Sequence, residues 1–84
     1  NPTVYVFAGR AMQTVGRFAD AVAYLRRAVD LNPNDPQAQS RLGIAEASMG
    51  HSAIAAQMFQ RVLMSVPDYP LARQGLEQLR RARP

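Results

Sequence analysis

Apolar residues recur along this chain in two rhythms. From Phe18 onward they fall at Phe18, Ala21, Val22, Leu25, Ala28 and Val29, the three-and-four spacing that gathers side chains on one face of an α-helix. The same spacing returns at Ala55, Met58, Phe59, Val62 and Leu63, and again at Ala72, Leu76 and Leu79. Residues 4–7 read VYVF and break this rhythm. Two β-branched and two aromatic residues in a row suit a pleated, half-buried surface, so taken alone the stretch predicts a strand.

A comparison of the chain with itself overrides that local reading. Shifted by 34 residues, Pro2 meets Pro36 and Pro70, Gly9 meets Gly43, Ala11 meets Ala45, and Gly16 meets Gly50. Ala19 and Ala53, Ala21 and Ala55, Arg27 and Arg61, and Pro33 and Pro67 also coincide. The matches fall on Gly, Ala and Pro, the residues that govern backbone shape and close approach. Each proline at the start of a unit suits the first turn of a helix. Gly16 and Gly50 stand where a first helix should stop, since glycine takes the left-handed cap conformation without penalty. Each unit is therefore predicted as helix, short turn, helix, and a Pro-bearing turn: LNPND after the first unit and VPDYP after the second.

These positions resemble the tetratricopeptide repeat (TPR). The first unit carries Tyr5, Gly9, Met12, Gly16, Ala21, Leu25, Ala28 and Pro33; the second carries Leu42, Gly43, Gly50, Ala55, Phe59 and Pro67, with Val62 in place of the last Ala. Ala8, Gln39 and Glu46 depart from the pattern, where Leu, an aromatic and a large packing residue are usual, and the first helix of the second unit is expected to pack loosely. The resemblance implies an all-α solenoid of antiparallel helix pairs, about five helices in a right-handed superhelix. The expected organisation is one domain over 1–84, with repeats at 2–35 and 36–69 and a capping helix at 70–84. Glu77 falls where a small residue would admit a partner helix, so the last segment reads as the polar-backed cap a solenoid end needs. Arg80, Arg81 and Arg83 lie in its last turn, the sign favoured at a helix C-terminus.

Within this register VYVF opens the first helix. Helical phase puts Val4, Tyr5, Ala8, Gly9 and Met12 on the packing face, and Thr3, Val6, Arg10, Gln13 and Thr14 on the opposite face, which in the resembled family lines a concave groove. Phe7 sits between the two. Gln37, Ser40, Arg41, Ile44, Ala47 and Ser48 extend the expected groove, followed by Leu71, Gln74 and Gln78. Val6 and Phe7 are apolar where the other units hold Ser40 and Gln74, or Arg41 and Gly75. They are thus also candidates for self-association, or for cover by a further repeat, since small proteins seldom leave contiguous apolar patches bare.

Composition narrows the function classes. The chain has 84 residues, 48% of them hydrophobic, which fits one small folded domain. It has no cysteine, which removes disulfides and thiolate chemistry. Nothing in the stretch reads as a signal or membrane-spanning segment, so membrane insertion is not expected and the compartment is left open, with a slight lean to the cytoplasm. The net charge is +4 and all ten basic residues are arginine, a composition typical of GC-rich bacterial coding. His51 stands alone at a turn with no acidic neighbour in sequence, and the six acids are scattered singly. No metal-ligand spacing, phosphate-cradling glycine loop or nucleophile elbow is present; the chain is read as a non-enzyme with no cofactor or metal.

The arginines form no stripe interleaved with aromatics, which argues against nucleic acid. A partner protein or peptide is the expected ligand, gripped in the groove with Arg10 pairing one anionic group. Some TPR domains hold chaperone C-termini by a two-carboxylate clamp of Lys and Asn. Here the clamp positions hold Val6, Arg10, Arg41, Leu71 and Gly75, and there is no Lys, which argues against that ligand.

Overall fold

The computed structural model describes residues 1–82, so Arg83 and Pro84, including the expected end of the last basic turn, lie outside the described residues. Five helices follow one another: α1 (Pro2–Thr14), α2 (Phe18–Leu31), α3 (Pro36–Ser48), α4 (Ser52–Ser65) and α5 (Pro70–Arg81). The expected all-α architecture is present, 80% helical with no strand among the described residues. VYVF is helical: its β-propensity is worth little against the packing of a whole helix pair.

The boundaries follow from single residues. Asn1 caps α1 by accepting a hydrogen bond from the Thr3 amide, and Asp35 caps α3 by accepting one from Gln37, each at 3.0 Å. Proline occupies the first turn of α1, α3 and α5, where its missing N–H is no loss. Gly16 and Gly50 end α1 and α3 with φ of 82° and 84°. At the first of these ends the Arg17 amide reaches back to the Met12 carbonyl and Gly16 to Gln13; at the second, His51 reaches Glu46 and Gly50 reaches Ala47. Both are Schellman closures, which need a left-handed residue at that place.

The helix pairs pack through glycine contacts. A Cβ added to Gly9 would lie 2.5 Å from Leu25 Cγ, and one on Gly43 would lie 2.7 Å from Phe59 Cε1. Gly75 meets the same Phe59 ring, more tightly still. Glu77 holds the repeat position of Gly9 and Gly43, and Gly75, two residues earlier, packs against the preceding helix α4. Three apolar clusters result, centred on Leu25, Leu42 and Val22, on Phe59, Val62 and Ala72, and on Val6, Ala28 and Ala38.

The order of contacts gives the stack its curvature. The α1 backbone runs close to that of α3, and α3 to that of α5, whereas the α2 and α4 backbones stay apart and Met58 of α4 reaches the cluster around Leu25 by its side chain. A two-layer stack that is continuous in one layer and parted in the other bends toward the continuous layer. The face formed by α1, α3 and α5 is therefore the inner one. No helix of the described residues is long and apolar enough to cross a membrane.

Candidate partner-binding groove

The inner face carries most of the residues that helical phase assigned to it. Arg10, Thr14, Ser48, Gln74 and Gln78 are exposed, and Gln13, Arg41, Ile44, Ala47 and Leu71 are half-buried. Two expected groove residues are not available to a ligand. Val6 is only 4% exposed and packs with Ala28 and Ala38 in the seam between α1, α2 and α3. Ser40, its counterpart in α3, is fully buried and its hydroxyl finds no hydrogen-bond partner. Gln74 holds the same repeat position in α5 and is exposed. The position is covered wherever another first-type helix follows, and α5 has none after it. Val6 therefore lies in the seam, neither in the groove nor on a surface free for self-association, and Ser40 likewise lies outside the groove.

Val4 reverses the opposite expectation. It was placed in the core and is 62% exposed, although Ala38 and Ala72 at the same repeat position are fully buried. Those two alanines lie against the preceding helix pair, which α1 lacks among the described residues. Phe7, next on the same outward stripe, is 61% exposed.

The central feature of the inner face is a pair of arginines. Val6 on α1 packs against Ala38 on α3. One turn further along these helices stand Arg10, which is exposed, and Arg41, which is half-buried. Burial lowers the Arg41 guanidinium pKa below its ordinary value, and the Arg10 charge lowers it further, while Tyr69 opposes the shift. Tyr69 in turn has its phenol raised by burial and by Asp35, with Arg41 acting against the rise. Arg41 Nε is buried and donates to no acceptor among the described residues.

Most other arginines are occupied. Arg17 pairs with Asp20 at 2.7 Å, Arg80 and Arg81 share Glu77 at 2.6 and 3.1 Å, and Arg73 reaches Asp68 at 3.8 Å. Arg27 lies 5.3 Å from the centre of the Tyr5 ring and donates to its hydroxyl. Arg26 reaches Glu46 at 3.5 Å. Neither Arg10 nor Arg41 has a carboxylate within ion-pair distance among the described residues.

Two further placements were hidden from sequence reasoning. His51 does have an acidic partner: its Nδ1 lies 3.2 Å from Glu46 Oε1, five residues earlier, because the Gly50 turn folds the chain back. Glu46 itself is 2% exposed, so the departure from a large apolar residue is absorbed by placing a carboxylate between Arg26 and His51. A cleft of about 830 Å³ lies between α4 and α5, where Leu63, Leu76, Leu79, Glu77 and Arg80 line it. No group of three or more His, Asp or Glu side chains that could hold a metal occurs among the described residues.

Stacked helix hairpins with one continuous inner layer and a solvent-facing inner surface define an α-solenoid scaffold. The chain belongs to the tetratricopeptide repeat family, whose description matches residues 14–79. It is also similar to the Hsp70-Hsp90 organizing protein of wheat (Triticum aestivum), with 29% identity over 82 residues, 98% of this chain. The chain spans only 14% of that protein's length. As a TPR protein the chain is, in general terms, a protein–protein interaction module.

Proposed function

We propose that the face of α1, α3 and α5 holds an extended segment of a partner protein, with Arg10 and Arg41 receiving an anionic group and Gln13, Ile44, Ala47, Gln74 and Gln78 forming the floor around it. The observation that supports this reading is that Arg10 and Arg41, on neighbouring helices of the inner face, have no carboxylate within ion-pair distance among the described residues. Guanidinium forks bind oxyanions in two-pronged geometry, and the mixed polar and apolar floor suits a peptide whose backbone needs hydrogen bonds. The name of the wheat relative ties that protein to Hsp70 and Hsp90. At this chain's clamp positions Val6 and Gly75 are buried and Arg10 and Arg41 replace the usual residue types, which supports an anionic ligand of a different shape from a chaperone tail.

The test is affinity for short peptides selected by display against the chain. Arg10→Ala is expected to weaken the selected peptides about tenfold, in line with the loss of one charge-assisted pair, while leaving the far-UV circular dichroism unchanged. Peptides that bind the variant as tightly as the parent would refute the arginine reading.

A second reading is favoured by the exposed stripe of Val4 and Phe7. Their repeat counterparts are covered: Ala38 and Ala72 fully, Gly75 fully and Arg41 in part. We infer that this end of the stack is shaped to lie against another helix pair, supplied by a further repeat or a second copy. If a second copy supplies it, sedimentation should show concentration-dependent association that Phe7→Arg abolishes. A parent chain that stays monomeric at high concentration excludes self-stacking.

A further inference from the structure

We propose that the cleft between α4 and α5 docks an amphipathic helix of a partner protein, antiparallel to α5, with an acidic first turn beside Arg80. Leu63, Leu76 and Leu79 line this cleft and are half-buried, and Gln74 and Gln78 of the inner face do not line it. The 34-residue repeat shows what shape such a face takes in this molecule. One unit earlier the matching residues are Val29, Leu42 and Ala45, of which Leu42 is 5% and Ala45 0% exposed. Their cover is α4: Met58 packs on that cluster, and the Phe59 ring lies against Gly43. The short turn before Ser52 sets α4 antiparallel to α3. Continuing the same seam by one unit lays a further helix in the cleft, opposite in direction to α5, with its apolar stripe on the leucines.

Two replacements set the chemistry of that helix. Glu77 stands at the position of Gly43, so a ring seated as Phe59 is would meet the Glu77 side chain, and a Leu-sized residue fits better. Arg80 stands at the position of Glu46. In the covered unit Glu46 Oε1 lies 3.2 Å from Nδ1 of His51, the residue at the start of the covering helix. The charge is reversed in the cleft, so the helix that covers it should begin with an acid, which helix starts favour in any case. Arg80 and Arg81 share the single carboxylate of Glu77, and Arg80 is 76% exposed, so exchange of that pair for a partner's acid costs little. A second copy fits less well: α1, which carries the open Val4 and Phe7, has no acid in its first turn, and each copy carries a net charge of +4.

The experiment follows amide NMR shifts of the whole chain as a helical peptide is added. The peptide copies residues 51–65, is held helical by a hydrocarbon staple on its solvent side, and carries Phe59→Leu with either His51→Asp or His51→Lys. Saturating shifts are expected at Ala56, Gln60, Leu76 and Leu79, with Gln13 and Ile44 unmoved. The peptide with His51→Asp should bind about threefold more tightly than the one with His51→Lys, the size of an exposed ion pair. Arg80→Glu in the chain should reverse that order.

Shifts confined to the inner face, or a drift that never saturates, overturn the docking site. Equal affinities for the two peptides, or an order that Arg80→Glu leaves unchanged, overturn the acidic partner. Self-association of the parent chain in sedimentation that Arg80→Glu abolishes assigns the cleft to a second copy and overturns the partner helix as well.

Discussion

Two glycines, from two different helices, lie against the Phe59 ring. That ring lies under Gly43 of α3 and Gly75 of α5, so one aromatic ties three helices, and the absence of two Cβ atoms makes that possible. Alanine at either site gains about 1 kcal/mol in helix propensity but must displace a rigid ring, and overpacking of this kind costs about 1–3 kcal/mol. Gly75→Ala is therefore expected to be clearly destabilising in chemical denaturation. Gly9→Ala meets the branch carbon of the fully buried Leu25 at 2.5 Å and should be destabilising as well. A Phe59→Leu background should relieve much of the Gly75→Ala loss; a fully additive result would contradict the ring as the obstacle.

Glu46 makes a second residue-scale case. Its buried carboxylate depends on Arg26 and His51, which are themselves largely exposed. Removing Arg26 leaves a buried charge short of a partner, so Arg26→Ala should cost about 1–3 kcal/mol. Glu46→Met instead restores the residue type found at Met12, the matching position of the first unit, and should be neutral or stabilising, since apolar replacement of buried ions often is. Denaturant midpoints measure both. Glu46 was legible in sequence as a misfit at a packing position, but its partners were not. Arg26 comes from the preceding helix pair, and His51 is brought near only by the left-handed Gly50 turn.

At the scale of elements, the ends of helices were the most legible feature. Asn1, Asp35, Pro2, Pro36, Pro70, Gly16 and Gly50 each act through local backbone chemistry, which a sequence displays directly. Asp35→Ala should accordingly cost about 1 kcal/mol through loss of its cap, seen as a lowered melting temperature; an unchanged stability would mean that the Gln37 amide is satisfied otherwise. The faces of α1 were less legible. Phase alone separates two sides of a helix, but α1 has three kinds of surroundings: α2, α3, and the side on which the later units meet a preceding pair. Val6 faces α3 and is buried, while Val4 faces the uncovered side and is exposed. The repeat register held the clue, because Val4 aligns with Ala38 and Ala72, yet it cannot say whether the first unit has a neighbour. The same argument makes Phe7 the sensitive residue for any stacking at this end.

Across the whole molecule, curvature comes from unequal layers. α1, α3 and α5 form an unbroken row, and α2 and α4 part behind it. Small residues such as Ala38 and Ala72 let the inner helices approach, and the bend turns separate helix faces into one surface. The sequence anticipated that surface through family resemblance, and most of its rim residues are accessible there. It did not reveal that Arg41 Nε is buried without an acceptor among the described residues. Nor did it reveal that Ser40 is lost to the seam. The central claim is that this inner surface is where a partner segment lies. The most direct measurement is a map of amide NMR shifts on adding a display-selected peptide. The account predicts that the perturbed residues cluster at Arg10, Gln13, Arg41, Ile44, Gln74 and Gln78, with Tyr24 and Gln57 on the outer helices unmoved; a cluster on α2 and α4, or at Val4 and Phe7, would contradict it.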